Sequence, residues 1–395
     1  MALSDVLPRT FKQWGYEASL EQVRTKSLHD GLSHFSGFTV EKHHFLLFHA
    51  LWLVYKDRDW SKWISKPYMD QAYTCLKSIE TGDTWDNYLK SLGKNLKELQ
   101  QAGFSELGTF SLVRYHQLQS MGANFESSFA VGKVGMVTRS MTAKLSERPV
   151  TPTPIPNPSS LASLLQAMDL SPSSSEDPIT PENTSIDLSK DDLLFSPYYP
   201  QTDKHWQAVE DEQIVNTALI LYLNGLTIHC KDLEADWTLH RQAFVVRAQN
   251  KSKIYEARVD GVLRRRESNQ TLAIIEVKPF NCEMKQSIIQ MQEGAQMAAW
   301  INSDTRVSES LQPGTKTVPM LISQDRHEIF VTIAEFGLDY INYIKGKVKP
   351  LDHHKDDRQF MNMHQYGPFN VGTKKDMEFL GQVVLAFSLQ ACEKM

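Results

Sequence analysis

The fold is decided by Ile254-Tyr-Glu-Ala-Arg-Val-Asp-Gly-Val-Leu-Arg264 and, after a polar turn, by Thr271-Leu-Ala-Ile-Ile-Glu-Val-Lys-Pro279. The first segment predicts a strand. The second has an almost continuous apolar run, which predicts a central strand covered on both faces. If the hairpin turns about residue 268, Asp260 lies directly across from Glu276, with Cβ atoms about 4.5–5.5 Å apart. Lys278 projects from the same face as Glu276 because side chains alternate along a strand.

Placing Asp260 and Glu276 side by side costs free energy unless a positive charge compensates for their repulsion. Two carboxylates about 5 Å apart repel each other by roughly 3 kcal/mol at an effective dielectric constant near 20. A divalent cation with oxygen ligands, Mg²⁺ or Mn²⁺, would remove that cost. A metal-bound water beside Lys278 would be a nucleophile suited to a phosphodiester. The alternative is a surface hairpin with exposed ion pairs among Asp260, Glu276, Arg258 and Lys278.

Two predicted helices add polar residues to this strand pair. The helix predicted over Trp206–Leu226 places Glu212 near its apolar face, so Glu212 is a candidate third carboxylate, with Asp211 as a less favoured substitute. The helix predicted over Lys285–Ile301 carries Gln292 and Gln296 one turn apart in an otherwise apolar stripe. These glutamines are either functional or satisfied core amides.

The order of the elements predicts an α/β fold of α+β type, with a mixed central sheet flanked by helices. The pattern from residue 201 onward is α-β-β-β-α-β-β, followed by a helix from about Lys375. The predicted strands are Leu239–Arg247, Ile254–Arg264, Thr271–Pro279, Val318–Ser323 and Glu328–Ile333.

These motifs resemble the PD-(D/E)XK nuclease superfamily, and more narrowly the nuclease-like domains common in filamentous fungi. The resemblance rests on Val259-Asp260-Gly261, on Ile275-Glu276-Val277-Lys278-Pro279, and on a helix with Gln292-Glu-Gly-Ala-Gln296-Met-Ala-Ala-Trp300. It covers roughly residues 205–335 and implies a restriction-endonuclease-like core. Val259 stands where the family has proline. Trp300 stands where exonuclease-like relatives often carry tyrosine.

The resemblance also implies roles for individual residues. Asp260, Glu276 and the Val277 carbonyl would hold Mg²⁺ or Mn²⁺, and Lys278 would position or deprotonate the attacking water. Glu212 would take the first-acid role. Gln292 or Gln296 would orient the lysine or contact the strand.

The expected function is therefore a metal-dependent nuclease that hydrolyses phosphodiester bonds of nucleic acid, with DNA favoured over RNA. The alternative is a catalytically inactive nuclease fold that binds nucleic acid or protein. The charge balance is acidic, with 42 Lys and Arg against 47 Asp and Glu, so any nucleic-acid surface must be local. Arg264-Arg265-Arg266, expected next to Asp260, is the candidate for phosphate contact, although a solvated basic turn explains it equally well.

The remaining chain divides by composition. Residues 1–136 predict a helical N-terminal region of unknown role, and 201–395 hold the nuclease-like domain. Ten of the 17 prolines lie between 149 and 200, so 137–200 predict a Pro- and Ser-rich disordered linker. Residues 159–170 have helical spacing and could dock a protein partner, as could residues 1–136. On a third reading, the whole chain is an interaction protein assembled through these two segments.

The sequence predicts an intracellular protein, nuclear or cytoplasmic, with no membrane partner. The longest apolar run, Phe45–Tyr55, is shorter than the roughly 18 residues that a membrane span needs. The N-terminus lacks the pattern of a secretory signal. The four cysteines lie far apart without a CxxC pair, which is typical of reduced thiols.

Overall fold

A computed structural model describes residues 6–30, 35–56, 58–78, 82–121, 212–248, 250–279, 286–304, 312, 314–350 and 357–393. These residues belong to one compact unit, formed by residues 1–125 and 204–395. The predicted linker, the docking segment 159–170 and Asp211 lie outside the described residues.

The strands form two sheets. Their bounds are β1 (Phe35–Ser36), β2 (Ala50–Tyr55), β3 (Ala235–Thr238), β4 (Gln242–Arg247), β5 (Lys253–Val259), β6 (Gly261–Arg265), β7 (Thr271–Lys278), β8 (Lys316–Thr317), β9 (Met320–Asp325), β10 (Glu328–Gly337) and β11 (Met361–Asn370). The main sheet has the order β2-β11-β10-β9-β7-β6-β3, and β8 pairs with β10 beside it. The smaller sheet has the order β1-β5-β4.

Helices cover both faces of the main sheet. Their bounds are α1 (Phe11–Leu20), α2 (Lys42–Leu46), α3 (Lys66–Leu76), α4 (Gly82–Ser91), α5 (Leu96–Ala102), α6 (Phe110–Ser120), α7 (Glu212–Thr227), α8 (Gln286–Ser303), α9 (Leu338–Ile344) and α10 (Lys374–Glu393). Residues of α3, α4, α6, α7 and α10 pack in one core, and residues of α1, α2, α8 and α9 pack in the other. The structure is therefore mixed α/β, as predicted.

The central strand is β7, and all eight of its residues are buried. It pairs antiparallel with β6 and parallel with β9, which makes the sheet mixed. Ile275 and Val277 lie in the core with α7 and α10, whereas Ile274 lies in the core with α8. Glu276 and Lys278 alternate with Ile275 and Val277, so they lie with Ile274 on the face toward α8.

The described part of the N-terminal region is mainly helical, and it also contributes strands β1 and β2. Between Phe38 and Ile64 the spacing of apolar residues is amphipathic, but the regular elements there are the short helix α2 and the strand β2. His49 has φ of 48°, which ends the helical turn before the strand. β2 pairs parallel with β11 at the edge of the main sheet, and this long-range pairing outweighs the local helical pattern.

Other elements were also missed by the sequence analysis. β3, α9 and β11 lie where no strand or helix was predicted. The largest omission is β11, which lies between β2 and β10, with His364 buried near the middle of the strand. The second predicted strand, Ile254–Arg264, is instead two strands that belong to different sheets and separate at Asp260.

Gly261, directly after this break, has no room for a side chain. An added Cβ would lie 2.6 Å from the backbone carbonyl oxygen of Thr238 on β3. We expect Gly261→Ala to lower the free energy of unfolding by about 1–3 kcal/mol, because the strands must move apart. Urea denaturation would measure the loss.

Gly15→Ala is the matched control. Gly15 is in α1 with nothing within 4 Å of an added Cβ, so alanine should stabilise the helix by about 0.5–1 kcal/mol. Equal stability of Gly261→Ala and the wild type would contradict the close approach of β6 and β3.

Candidate functional site

Asp260 lies at the point where the chain leaves the small sheet and enters the main sheet. Its backbone N–H donates to the carbonyl oxygen of Ile275 at 2.9 Å, and its Oδ2 accepts from the Val277 N–H at 3.1 Å. Asn216 of α7 donates to its carbonyl oxygen at 3.2 Å. Gly261 pairs with Ile275, so the predicted register, which places Asp260 across from Glu276, is confirmed.

Glu276 is the most buried acid of this group, with 1% of its surface exposed. Its Oε1 accepts from the amide of Gln292 at 2.7 Å and from the ammonium group of Lys278. Its Oε2 accepts from the amide of Gln296 at 2.5 Å. Both carboxylate oxygens are thus satisfied by a strand neighbour and by α8, which makes the burial tolerable.

Burial dominates the electrostatics of this carboxylate. Burial raises the pKa of Glu276 to about 8. The positive charge of Lys278 acts to lower this pKa, and the negative charge of Asp260 acts to raise it. For Lys278, burial acts to lower the pKa. The negative charges of Glu276, Glu212 and Asp260 outweigh burial, and the pKa of Lys278 is raised. The lysine therefore keeps its proton at neutral pH.

Glu212 is the first residue of α7, and Arg241 lies between its carboxylate and that of Asp260. The Nη2 of Arg241 lies 3.2 Å from Oδ1 of Asp260 and 4.0 Å from Oε1 of Glu212. We call Asp260, Glu276, Lys278 and Glu212 the acid–lysine cluster. Its outer side is accessible, since the side chains of Arg241 and Glu212 are 55% and 25% exposed.

The two predicted glutamines do reach the cluster. Both amides donate to Glu276, whereas the resemblance implied that one of them would orient the lysine or contact the strand. Gln296 also donates to the carbonyl oxygen of Arg258 on β5 at 2.8 Å, which is such a strand contact. Val277 is fully buried in β7, and its N–H binds Asp260.

The arginine triplet is not next to Asp260. Arg264, Arg265 and Arg266 lie at the far end of β6, and the first is about 13 Å along the strand from Asp260. Arg266 binds both oxygens of Asp236 at 2.8 and 2.9 Å, and Arg265 donates to the carbonyl oxygen of Cys392. The expected position is therefore wrong, while phosphate binding by these residues stays a prediction.

Arg241 was missed by the sequence analysis. It precedes β4 and is distant in sequence from both acids that it contacts, so no local pattern marks it. The sequence offered one signal, a basic residue at the start of a strand that precedes the acid-bearing hairpin. That signal is too common to identify a site.

One further set of ligand-type side chains lies elsewhere. Among the described residues, only Glu41, His43 and His44 bring three such atoms within 4.8 Å of one another. His44 stacks on Phe35, and burial lowers the pKa of its imidazole to about 4. This set mixes nitrogen and oxygen donors, unlike the oxygen donors of the acid–lysine cluster.

Comparisons with known proteins leave the chain without an assigned relative. No family model, curated protein or solved structure matches it. Among the helices of the described residues, none has the length and apolarity to cross a membrane.

The raised pKa of Glu276 predicts a pH dependence of stability. Between about pH 5 and 8 the folded state holds a proton that the unfolded state has lost, so the free energy of unfolding falls as the pH rises. Glu276→Gln removes this contribution. Without added metal, we expect the variant to match the wild type near pH 5 and to exceed it increasingly toward pH 8, as measured by thermal denaturation.

Glu256→Gln is the control of opposite sign. Burial acts to raise the pKa of Glu256, but its bonds to Arg258 and Lys253 outweigh burial and the pKa is lowered. Its contribution to stability is present above its unfolded-state pKa and is lost as the pH falls. Glu256→Gln should therefore lose stability relative to the wild type above about pH 5. If the difference in stability between Glu276→Gln and the wild type stayed constant across this pH range, the raised pKa of Glu276 would be refuted.

Arg241 places a positive charge beside the acids that a cation would use. Arg241→Gln should therefore tighten Mn²⁺ binding about two- to fivefold, the range expected when a partly exposed ion pair is removed. Titration calorimetry would measure the affinity. Arg258→Gln is the control, because this half-exposed arginine contacts Glu256 and should leave the affinity unchanged. Weaker Mn²⁺ binding by Arg241→Gln would contradict competition between Arg241 and the cation.

Proposed function

We propose that this protein is a metal-dependent nuclease that hydrolyses phosphodiester bonds of nucleic acid. The observation that carries the proposal is the convergence of Asp260, Glu276 and Lys278 at the break between the two sheets, with Glu212 alongside. The proposal extends to a restriction-endonuclease-like core and to membership of the PD-(D/E)XK superfamily, which rest on the resemblance of the motifs.

The donor set fits a hard divalent cation. Glu212, Asp260 and Glu276 offer carboxylate oxygens, and the Val277 carbonyl is the fourth proposed ligand. The guanidinium of Arg241 between Glu212 and Asp260 supports the fit, because a positive charge is already stabilised there. When bound, Mg²⁺ or Mn²⁺ would neutralise phosphate charge and lower the pKa of a water molecule.

The remaining residues have supporting roles. Lys278 keeps its proton at neutral pH, so its role is to stabilise negative charge that develops on the phosphate and to orient the attacking water. Gln292 and Gln296 hold both oxygens of Glu276 and fix its position. The exposed side of the cluster, marked by Arg241, is the side from which a phosphodiester would approach.

The substrate is nucleic acid, and DNA is favoured over RNA on the resemblance alone. Protein partners of residues 1–136 or 159–170 are a further part of the proposal. A location in the nucleus or cytoplasm is also part of the proposal, and it is supported by the four widely separated cysteines.

The second candidate is a catalytically inactive nuclease fold that binds nucleic acid or protein. It is favoured by the hydrogen bonds of Glu276, which the protein satisfies internally with three donors. On this reading the acids keep a structural role after catalysis is lost.

The deciding experiment is cleavage by the purified full chain. Supercoiled plasmid, linear duplex, single-stranded DNA and RNA would each be incubated with Mg²⁺, Mn²⁺ or EDTA. We expect metal-dependent cleavage that Lys278→Met lowers by roughly a hundredfold or more, because transition-state charge stabilisation is lost. Glu276→Gln should remove cleavage.

Lys316→Met is the matched control. Lys316 is an exposed lysine that pairs with Glu335, and its loss should leave the rate unchanged. Cleavage that persists in EDTA, or at the wild-type rate in Lys278→Met, would exclude the proposed mechanism. If no substrate is cut, binding of the same nucleic acids in a mobility-shift assay would support the inactive fold.

A further inference from the structure

Two cysteine side chains meet between helix α3 and the loop that follows α7. Cys75 lies in the last turn of α3, and Cys230 lies three residues after α7 ends. The two thiols are hydrogen-bonded to each other. Both pack in the same apolar core, in which Cys230 is buried and Cys75 is only partly buried. Cys75 is therefore the more accessible member of the pair.

A second polar contact joins the same two segments one helical turn away. Gln71 precedes Cys75 by four residues, so their side chains lie on the same face of α3. The side-chain amide of Gln71 donates to Oδ2 of Asp232, two residues after Cys230, at 3.2 Å. The helix is thus held to this loop at two points, and the fold itself keeps the two thiols together.

The surroundings of Cys230 favour the thiolate, which is the form that oxidants attack. The hydrogen bond from Cys75 and those from the backbone N–H groups of Asp232 and Leu233 act to lower the pKa of the Cys230 thiol. Burial and the negative charge of Asp232 act to raise it, and the net pKa is lowered. Burial raises the pKa of the Cys392 thiol instead. Of these two cysteines, Cys230 therefore has the larger thiolate fraction at neutral pH.

We propose that Cys75 and Cys230 form a site of reversible oxidation, at which hydrogen peroxide converts the two thiols to a disulfide. Cys75 belongs to residues 1–136 and Cys230 to residues 201–395, so the disulfide would join the N-terminal region covalently to the C-terminal half. The site goes beyond the nuclease function and does not depend on it, because neither cysteine belongs to the acid–lysine cluster.

The oxidation has two steps. The Cys230 thiolate attacks one oxygen of hydrogen peroxide, the O–O bond breaks and hydroxide leaves, so the sulfur becomes a sulfenic acid. The Cys75 sulfur then attacks the Cys230 sulfur, the S–O bond breaks and a second hydroxide leaves. The protons lost by the two thiols convert both hydroxides to water. Two thiols are thus oxidised to one disulfide while one peroxide is reduced to two waters, and a dithiol reverses the change by exchange.

Thiol labelling of the full chain tests the site. The chain has four cysteines, so the reduced protein should take up four N-ethylmaleimide groups after denaturation. When the folded protein is first treated with hydrogen peroxide, we expect two groups, and four again after dithiothreitol. Mass spectrometry of proteolytic peptides from the monomer should show the peptide with Cys75 linked to the peptide with Cys230.

Serine variants separate this pair from the other thiols. Cys75→Ser and Cys230→Ser should each lose the link. In Cys75→Ser, dimedone should label Cys230, because no neighbouring thiol attacks the sulfenic acid. Cys392→Ser is the matched control, since Cys392 is partly buried as Cys75 is, and this variant should form the link as the wild type does.

The outcomes decide the proposal without any measurement of nucleic-acid cleavage. A link between Cys75 and Cys230 that dithiothreitol removes supports the site, whether or not the protein is a nuclease. Four thiols still open to labelling after peroxide, loss of labels without this link, or a link found only between two chains overturns it. The peptide map of the wild type gives this answer even if a serine variant does not fold.

Discussion

A carboxylate that is 1% exposed in the middle of β7 needs donors from its own sheet and from the helix above it. Glu276 has such donors in Lys278, Gln292 and Gln296. Removal of any one would leave a buried acceptor or an unpaired charge, at a cost of about 1–3 kcal/mol or more. The placement of α8 over β7 is therefore fixed by polar bonds as well as by apolar packing.

Small residues let α8 come close enough to make these bonds. Ala295, Ala298 and Ala299 are fully buried, and an added Cβ at Gly294 would lie 2.9 Å from the ring of Phe45. The Tyr255 hydroxyl donates to the carbonyl oxygen of Ala295 at 3.0 Å and ties the helix to the small sheet. Larger residues at these positions would shift the helix and move the glutamine amides away from Glu276.

The sequence predicted the parts of the site that local patterns determine. The apolar run of β7 identified a central strand, and the hairpin turn set the register of Asp260 and Glu276. The pairing of β2 with β11 joins residues about 300 positions apart, and no local pattern encodes it. Arg241 was missed for the same reason, since only the folded chain brings it to Asp260.

Helix α8 contacts Glu276 and also carries Glu293, so the charges of these two buried acids are coupled. Gln292 and Gln296 hold Glu276, while Glu293, between them in the sequence, lines a neighbouring cavity. Lys278 is attracted by Glu276 and is also close enough to act on Glu293. A positive charge added at either place repels the lysine and any charge at the other, because buried charges are weakly screened. A change of charge at Glu276 therefore shifts the pKa of Glu293, and the reverse also holds.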